Sequence, residues 1–420
     1  MFELKVPHLE TAIQGPLQGV EKHLISRHVE IETWFQQQWK ISRPPVYGSV
    51  DLRNAGIKLA PVDTNLFPAG FNNINRDFLP LCIQAMQAAL AEACPAAKQL
   101  LIIPENHTRN IFYFESLAML QEILLGAGYD VRIGSMHESV ASQQAHELPS
   151  GRTIKIEPLI RQGNKVGVSD FFPCCILLNN DLSDGIPPFL ENISQQVMPS
   201  MKLGWSNRLK SEHFCFYEKV TTEFSEAFNL DPWLIAPYFD QCPDVNFMQK
   251  EGQQCLTARA EALLKRIRKK YLEYNIDRDP FLVIKADQGT YGMAVMMIKD
   301  VKEIAALNRK QRTRMSTLKG GSQVTKAIIQ EGVYSIETVG EGHSVAEPVI
   351  YTIGRSVVGG FYRVHADRRS DENLNAPGMS FQPFKFSNTE VIEGENRFYA
   401  YSVIARLAVL AAAREMEAFK

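Results

Sequence analysis

Phe281-Leu282-Val283-Ile284-Lys285-Ala286-Asp287-Gln288-Gly289-Thr290-Tyr291-Gly292-Met293 reads as a short apolar strand ending on a lysine, then a small flexible loop, then a second strand through Met297. A lysine at such an exit reaches phosphate oxygens, and Gly289 and Gly292 let backbone N–H groups approach them with no Cβ in the way. A plain β-hairpin closed by a lysine fits the segment equally well. The neighbouring segments have to choose.

Downstream, residues 327–333 read as a strand running into a small-residue link whose backbone groups suit a planar base. Residues 349–363 read as a hairpin ending in Gly359-Gly360-Phe361-Tyr362-Arg363. Upstream, from residue 78 to about 180, helices alternate with apolar strands at 99–103, 129–133 and 174–178. This β-α-β rhythm collects loops at one edge of a parallel sheet, where small ligands bind. Residues 202–275 read as largely helical, and 396–417 as a long alanine-rich helix.

The 420 residues carry 45 Lys+Arg against 47 Asp+Glu, a net charge of −2, which disfavours a surface built throughout for nucleic acid. Lys265, Arg266, Arg268, Lys269 and Lys270 do cluster, but Leu263, Leu264, Ile267 and Tyr271 supply an apolar face at helical spacing, so a solvated amphipathic helix is the better reading. The 7 cysteines are scattered, with no C-x-x-C pair and no zinc spacing, and read as reduced thiols. The N-terminus lacks the apolar core of a signal peptide, and no apolar run approaches the roughly 20 residues of a membrane span. A cytoplasmic protein is expected, without membrane or nucleic-acid partners; homo-oligomerisation stays open. There is no G-x-x-x-x-G-K-[ST] loop, no G-x-G-x-x-G after a strand, no G-x-S-x-G elbow and no H-E-x-x-H.

The succession of lysine strand, glycine loop, acid-bearing strand and later arginine resembles the ATP-grasp family. The resemblance implies an α/β (α+β) fold, with a β-α-β lobe preceding the ATP-grasp lobes. It implies that Lys285, Gly289 and Gly292 cover the phosphates of ATP, that Glu331 and Val333 hold adenosine, and that Arg363 contacts phosphate or acyl substrate. Lys210, in Asn207-Arg208-Leu209-Lys210-Ser211-Glu212-His213-Phe214, looks like the family's earlier ATP-contacting lysine. Asn373 and Asn375, in Asp371-Glu372-Asn373-Leu374-Asn375-Ala376-Pro377-Gly378, resemble the Asn-Leu-x-Ala-x-Gly segment of glutathione synthetase-like members, ordering the phosphate or acceptor loop; each also suits an exposed turn. The basic glycine loop 310–321, with Arg312, Arg314 and Lys319, reads as an exposed loop in preference to a mobile lid.

Members of that family continue past their last helix into two strands bearing an acid, an acid-x-Asn pair and a Pro-Gly turn, which hold magnesium. Here that helix closes the sequence, and the look-alike stands near its start: Val50-Asp51-Leu52-Arg53-Asn54-Ala55-Gly56-Ile57-Lys58-Leu59-Ala60-Pro61-Val62-Asp63-Thr64-Asn65-Leu66-Phe67-Pro68-Ala69-Gly70. Asp51 supplies the first acid, Asp63 and Asn65 the pair, and Pro68 with Gly70 the turn. A circularly permuted fold is expected. Asp63 and Asn65 are two apart and share one strand face, and a turn at residues 53–56 returns the strand bearing Asp51 alongside. Their oxygens suit Mg²⁺. A polar hairpin ending in an Asx turn is the alternative.

Nearly the whole chain further resembles a small bacterial class of glutamate–cysteine ligases, through Val62-Asp63-Thr64-Asn65-Leu66-Phe67-Pro68-Ala69-Gly70-Phe71-Asn72-Asn73 and Ile284-Lys285-Ala286-Asp287-Gln288-Gly289-Thr290-Tyr291-Gly292-Met293. That resemblance implies formation of γ-glutamylcysteine from ATP, glutamate and cysteine through a γ-glutamyl phosphate, the first step towards glutathione. Arg363 leads as ligand of a substrate carboxylate, with Arg355 and Arg53 behind it, each with a surface ion pair as its alternative; Asn72 and Asn73 join the substrate side. The residues themselves reach only as far as an ATP-dependent carboxylate–amine ligase. A glutathione synthetase-like ligase and a non-catalytic nucleotide sensor remain as alternatives. The expected division is a helical segment 1–45, a metal-binding hairpin 46–76, a β-α-β substrate-side domain 77–200 and nucleotide-binding lobes 201–420.

Overall fold

The computed structural model describes residues 9–13, 15–106, 110–249, 251–289, 294–317, 323–386 and 396–419. Helices α1 (Gly19–Ser26) and α2 (His28–Ile41) precede a hairpin of β1 (Tyr47–Asn54) and β2 (Leu59–Asn65). Next come α3 (Leu79–Ala93), β3 (Gln99–Pro104), α4 (Ile111–Gly126), β4 (Asp130–Ser135), β5 (Gln144–Glu147), β6 (Thr153–Pro158), the short pair β7 (Ile160–Gln162) and β8 (Lys165–Gly167), β9 (Cys175–Asn179) and β10 (Gln196–Met198). Then follow α5 (Lys210–Phe228), β11 (Phe239–Cys242), α6 (Glu251–Glu273), β12 (Leu282–Ala286), β13 (Val295–Ile298), α7 (Lys302–Ala305), α8 (Arg309–Ser316), β14 (Ala327–Glu331) and β15 (Thr338–Val339). The chain closes with β16 (Ser344–Ile353), β17 (Ser356–His365), β18 (Ser380–Pro383) and α9 (Arg397–Ala418).

Three sheets organise this mixed α/β architecture. The first runs β18-β17-β16-β1-β2, with β15 on β16, so the early hairpin is hydrogen-bonded to strands almost 300 residues later, antiparallel through pairs such as Asp51 with Val349. The second runs β10-β9-β3-β4-β6-β5 and is parallel except for β5. Its strands β3 and β9 are apolar on both faces, as strands covered on both sides must be. The third, β11-β14-β12-β13, is antiparallel. In β12 the alternation is two-faced: Leu282, Ile284 and Ala286 enter the core, while Val283 and Lys285 point to the other side.

The largest core extends from Val20 to Ala413 and joins the N-terminal helices, the hairpin, the parallel sheet and β16–β17 around α9, which is buried on nearly every face. A second core lies under the lysine-bearing sheet, where Leu263, Leu264, Ile267 and Tyr271 of α6 meet Leu282, Ile284 and Ile329. The basic stretch is thus the outer face of an amphipathic helix, with Lys270 paired to Asp231 and Glu273.

Several sequence expectations shift. The hairpin turn falls at residues 55–58 rather than 53–56, because Asn54 Oδ1 accepts from Gly56 N at 2.8 Å and Ala55 N donates to Lys58 O, extending the ladder to Asn54 and Leu59. The segment 202–275 is interrupted by β11, which pairs with β14. Residues 309–316, expected in an exposed loop, form α8, because Asn308 and Gln311 make a reciprocal capping box. Lys319 lies outside the described residues.

Candidate functional site

The first and third sheets turn their polar faces towards one cavity of about 850 Å³, and loops from the parallel sheet close its remaining side. The hairpin contributes Asp51, Arg53, Asp63 and Asn65; alternation along each strand brings these to one side, and Asp51 stands directly across from Asp63 in the ladder. The third sheet contributes Val283 and Lys285 from β12, Val295 and Met297 from β13, and Gln330 from β14. Lys285 pairs in register with Val295, and Val283 with Met297, so an apolar patch borders the lysine.

Lys285 joins the two sheets. Its Nζ donates to Val62 O at 2.8 Å, beside Asp63, and to Gln330 Oε1 at 2.9 Å. Burial pulls its pKa down to about 8, with Asp63 opposing and Lys210 adding to the fall. Lys210, at the start of α5, reaches Asp63 Oδ1 and Oδ2 at 2.9 and 3.1 Å and lies 3.9 Å over the Trp205 ring. Burial alone would raise the Asp63 carboxyl, but Lys210 and Lys285 hold it at about 2.

A second charge cluster adjoins the first. Arg363 donates to Asp51 Oδ2 at 2.8 Å and also holds Glu347, its cross-strand partner; Arg53 Nε reaches the other Glu347 oxygen at 3.0 Å. Burial, with Glu347 and Asp63 nearby, raises the Asp51 pKa against the pull of Arg363, while Arg53 and Arg363 overcome burial to lower that of Glu347. Arg363 Nε is buried with no partner among the described residues.

Arg53 also donates to the carbonyls of Val333 and Ser370 at 3.1 and 3.2 Å, fastening the hairpin to the link after β14. The Glu331 carboxylate is occupied by Lys58 at 2.8 Å, by Trp233 Nε1 at 3.1 Å and by Tyr238 N at 2.9 Å, while the residue still borders the cavity. Gly332 is obligatory in that link, because a Cβ there would come within 2.1 Å of the Phe281 ring. Gly289 takes φ +104°, a conformation glycine adopts freely.

Val333, Gly289, Asn72, Asn73, Asn373 and Asn375 line the same cavity. Asn65 Oδ1 accepts from Phe67 N at 2.9 Å, and Asn373 Oδ1 from Asn375 N at 3.0 Å, so the Asx turns weighed as alternatives are present while both residues still border the cavity. Arg355 does not join them: it is exposed, pairs with Glu92 at 3.0 Å and borders a separate pocket. Gly292 lies outside the described residues. Sequence reading missed Glu347, Trp205, Gln330 and Lys58. Counting back from the β16–β17 turn would not have found Glu347: a plain count sets Ala346 opposite Arg363, and the bulge at Tyr351/Thr352 shifts the register by one to bring Glu347 there.

A family model described as glutamate–cysteine ligase matches residues 21–416. The chain belongs to the glutamate–cysteine ligase family. Among solved structures, a "putative gamma-glutamylcysteine synthetase" from Methylobacillus flagellatus KT is 48% identical, with a TM-score of 0.89 over 99% of this chain and 100% of that one. Two others are distant. A D-alanyl-alanine synthetase A from Vibrio cholerae aligns at TM-score 0.30 and 10% identity over 64% of this chain and 67% of its own. A glutathione synthetase-like effector from Globodera pallida aligns at 0.37 and 9% over 87% and 80%. At these scores neither adds to the assignment. No curated protein matches the chain. The protein is a ligase that joins glutamate to cysteine, and ligases of this family use ATP. No helix among the described residues is long and apolar enough to cross a membrane.

Proposed function

We propose that ATP lies between the third sheet and the hairpin sheet, with its purine over Val283, Val295 and Met297, its base edge against the backbone of residues 331–333, and its phosphates towards Lys285, Lys210 and the Gly289 loop. The contact of Lys285 with Val62, next to Asp63, carries this reading, because it brings a cationic strand and an acidic hairpin from remote parts of the chain to one point. In this reading the arrangement is that of a circularly permuted ATP-grasp ligase. The boundaries at residues 45, 76 and 200 belong to the same proposal, as does a cytoplasmic setting for its thiols.

The hairpin oxygens are of the type a hard cation takes, and to hold one Asp63 would exchange Lys210, and Asp51 would exchange Arg363, for the ion. Among the described residues no three His, Cys, Asp or Glu side chains could hold a metal together. Asp51 and Asp63 with the Asn65 carboxamide would make, together with phosphate oxygens and water, the mixed oxygen set that Mg²⁺ prefers. Such an ion would neutralise triphosphate charge and draw on the leaving oxygen.

A carboxylate resists attack by an amine because it is anionic and has no leaving group. In the proposed course the glutamate γ-carboxylate, steered by Arg363, takes the γ-phosphoryl group of ATP, and the cysteine amine then displaces phosphate from the acyl phosphate. Lys285 and Lys210 stabilise the charge that accumulates during transfer. Arg363 borders the cavity, and in this reading its guanidinium, never deprotonated, turns from Asp51 and Glu347 to an oxyanion in both stages. The protein incubated with ATP, Mg²⁺ and glutamate, with cysteine or γ-glutamylcysteine added in turn, tests the reading by ADP release and product mass. Cysteine-dependent ADP and γ-glutamylcysteine are expected. Turnover only with γ-glutamylcysteine, or tight ATP binding without release under any mixture, overturns it.

A further inference from the structure

Soluble proteins rarely leave large apolar side chains open inside a polar cleft without a ligand to cover them. Three such residues border this cavity: Phe112 in the first turn of α4 is 81% exposed, Phe381 on β18 is 40% exposed and Met379 just before it is 36% exposed. Phe381 is the cross-strand partner of Arg363, so the two side chains share a face. Its ring meets Phe361 edge-on at 5.0 Å between centroids, and Phe361 meets Tyr351 at 5.5 Å. Phe361 and Tyr351 are buried, so the aromatic row begins inside the sheet and ends open at Phe381.

In the first sheet β18 is the edge opposite β2, the strand that Lys285 contacts. This row and the patch of Val283, Val295 and Met297 beside Lys285 therefore flank the charged cluster of β1, β16 and β17 from different sides. If that patch carries the purine, the second apolar surface needs a different occupant. Glutamate offers none, since its chain ends in charges at both ends. The acceptor does: a thiol side chain is weakly hydrated, polarisable and favourably placed near ring edges.

Resting on the reading above, we infer that Phe381, backed by Phe361 and flanked by Met379, seats the side chain of the acceptor amino acid beside Arg363 and selects thiol or small apolar groups over a hydroxyl. Phe381 is then a specificity residue, acting on the acceptor's side chain while Arg363 holds the reacting carboxyl.

The test compares Phe381→Asn and Phe381→Leu with the wild type, measuring kcat and KM for cysteine, serine and 2-aminobutyrate at saturating ATP and glutamate. Phe381 is on an edge strand and partly open, so both variants should fold, as a thermal melt will check. Phe381→Asn is expected to raise the KM for cysteine roughly 10-fold or more, to lower the cysteine-to-serine ratio of kcat/KM by a similar factor, and to leave the KM values for ATP and glutamate within about 2-fold. Phe381→Leu should recover most of that ratio. An unchanged cysteine-to-serine ratio in Phe381→Asn, or a rise in the glutamate KM instead, overturns the assignment. The wild type separates the two levels: without cysteine-dependent ADP release the underlying reading fails, whereas wild-type turnover with an unmoved ratio removes only the acceptor seat.

Discussion

Lys285, half-buried at the edge of the cleft, and Lys58, buried beside it, differ in what holds them. Lys58, in the hairpin turn, sits on the Glu331 carboxylate at 2.8 Å and 4.1 Å from the Trp233 ring centroid, a cation matched by an anion and an aromatic face. Lys285 is held by two neutral oxygens, those of Val62 and Gln330. Burial pulls both towards a pKa of about 8. A buried charge with its own counter-ion fastens structure together, whereas one held by neutral acceptors still attracts an anion. Lys58 is therefore a fastening between the hairpin and the link after β14, and Lys285 is left to serve, in the proposed reading, as the phosphate ligand.

Removing each charge should separate the two roles. Lys285→Met is expected to lower kcat/KM by about 10²–10³-fold while hardly moving the thermal midpoint, since Lys210 keeps the Asp63 carboxylate paired. Steady-state kinetics beside a melt checks this, and a variant with near-normal kcat/KM would remove Lys285 from the chemistry. Asp63→Ala should lose a comparable share of turnover and raise the Mg²⁺ concentration needed for half-maximal rate. Unchanged metal dependence would remove the hairpin from the cation site.

Lys58→Met should do the opposite. It leaves Glu331 buried without a cation, and breaking such a pair costs about 3–5 kcal/mol, so a clear loss of stability is expected in chemical denaturation. The double variant Lys58→Met/Glu331→Gln should recover much of that loss, because the stranded charge is gone. If Lys58→Met melts normally but binds no nucleotide, the comparison is reversed.

The same contrast explains what was legible in the sequence. The strand at 282–286, the parallel β-α-β run and the long last helix were readable because burial writes itself as apolar periodicity. Asp51, Asp63 and Asn65 were readable as a group because strand alternation and a short turn fix their relative places. Lys58 and Glu347 were not singled out, because their roles arise from partners 273 and 294 residues away, Glu331 and Arg53, and no local pattern records those. Arg355 illustrates the converse. It lies in the turn between β16 and β17, only eight positions from Arg363 in the sequence, yet the hairpin carries it to the far end of the strands, where it meets Glu92. The α8 helix was missed because a capping box overrode a basic, weakly apolar composition, and β11 because its edge pairing with β14 lies about 90 residues away in sequence.

The smallest expected effect is on pH dependence, and it can be argued in both directions. Lys285 in the folded protein releases its proton at about 8, below an ordinary lysine at about 10.4. Between those values the unfolded chain binds more protons, so this residue makes stability rise with pH, and Lys58 adds the same slope. Nucleotide affinity should move the other way, falling as pH passes 8, because a neutral amine no longer attracts phosphate. Asp63 is 37% exposed, so its low pKa contributes little stability, and that little is lost only as pH falls below the ordinary carboxylate range towards 2. Calorimetric titration of a non-hydrolysable ATP analogue at pH 7 and 9 should therefore show a several-fold weakening in the wild type and almost none in Lys285→Met. Equal weakening in both would assign the titration to another group, with Lys58 the first to examine.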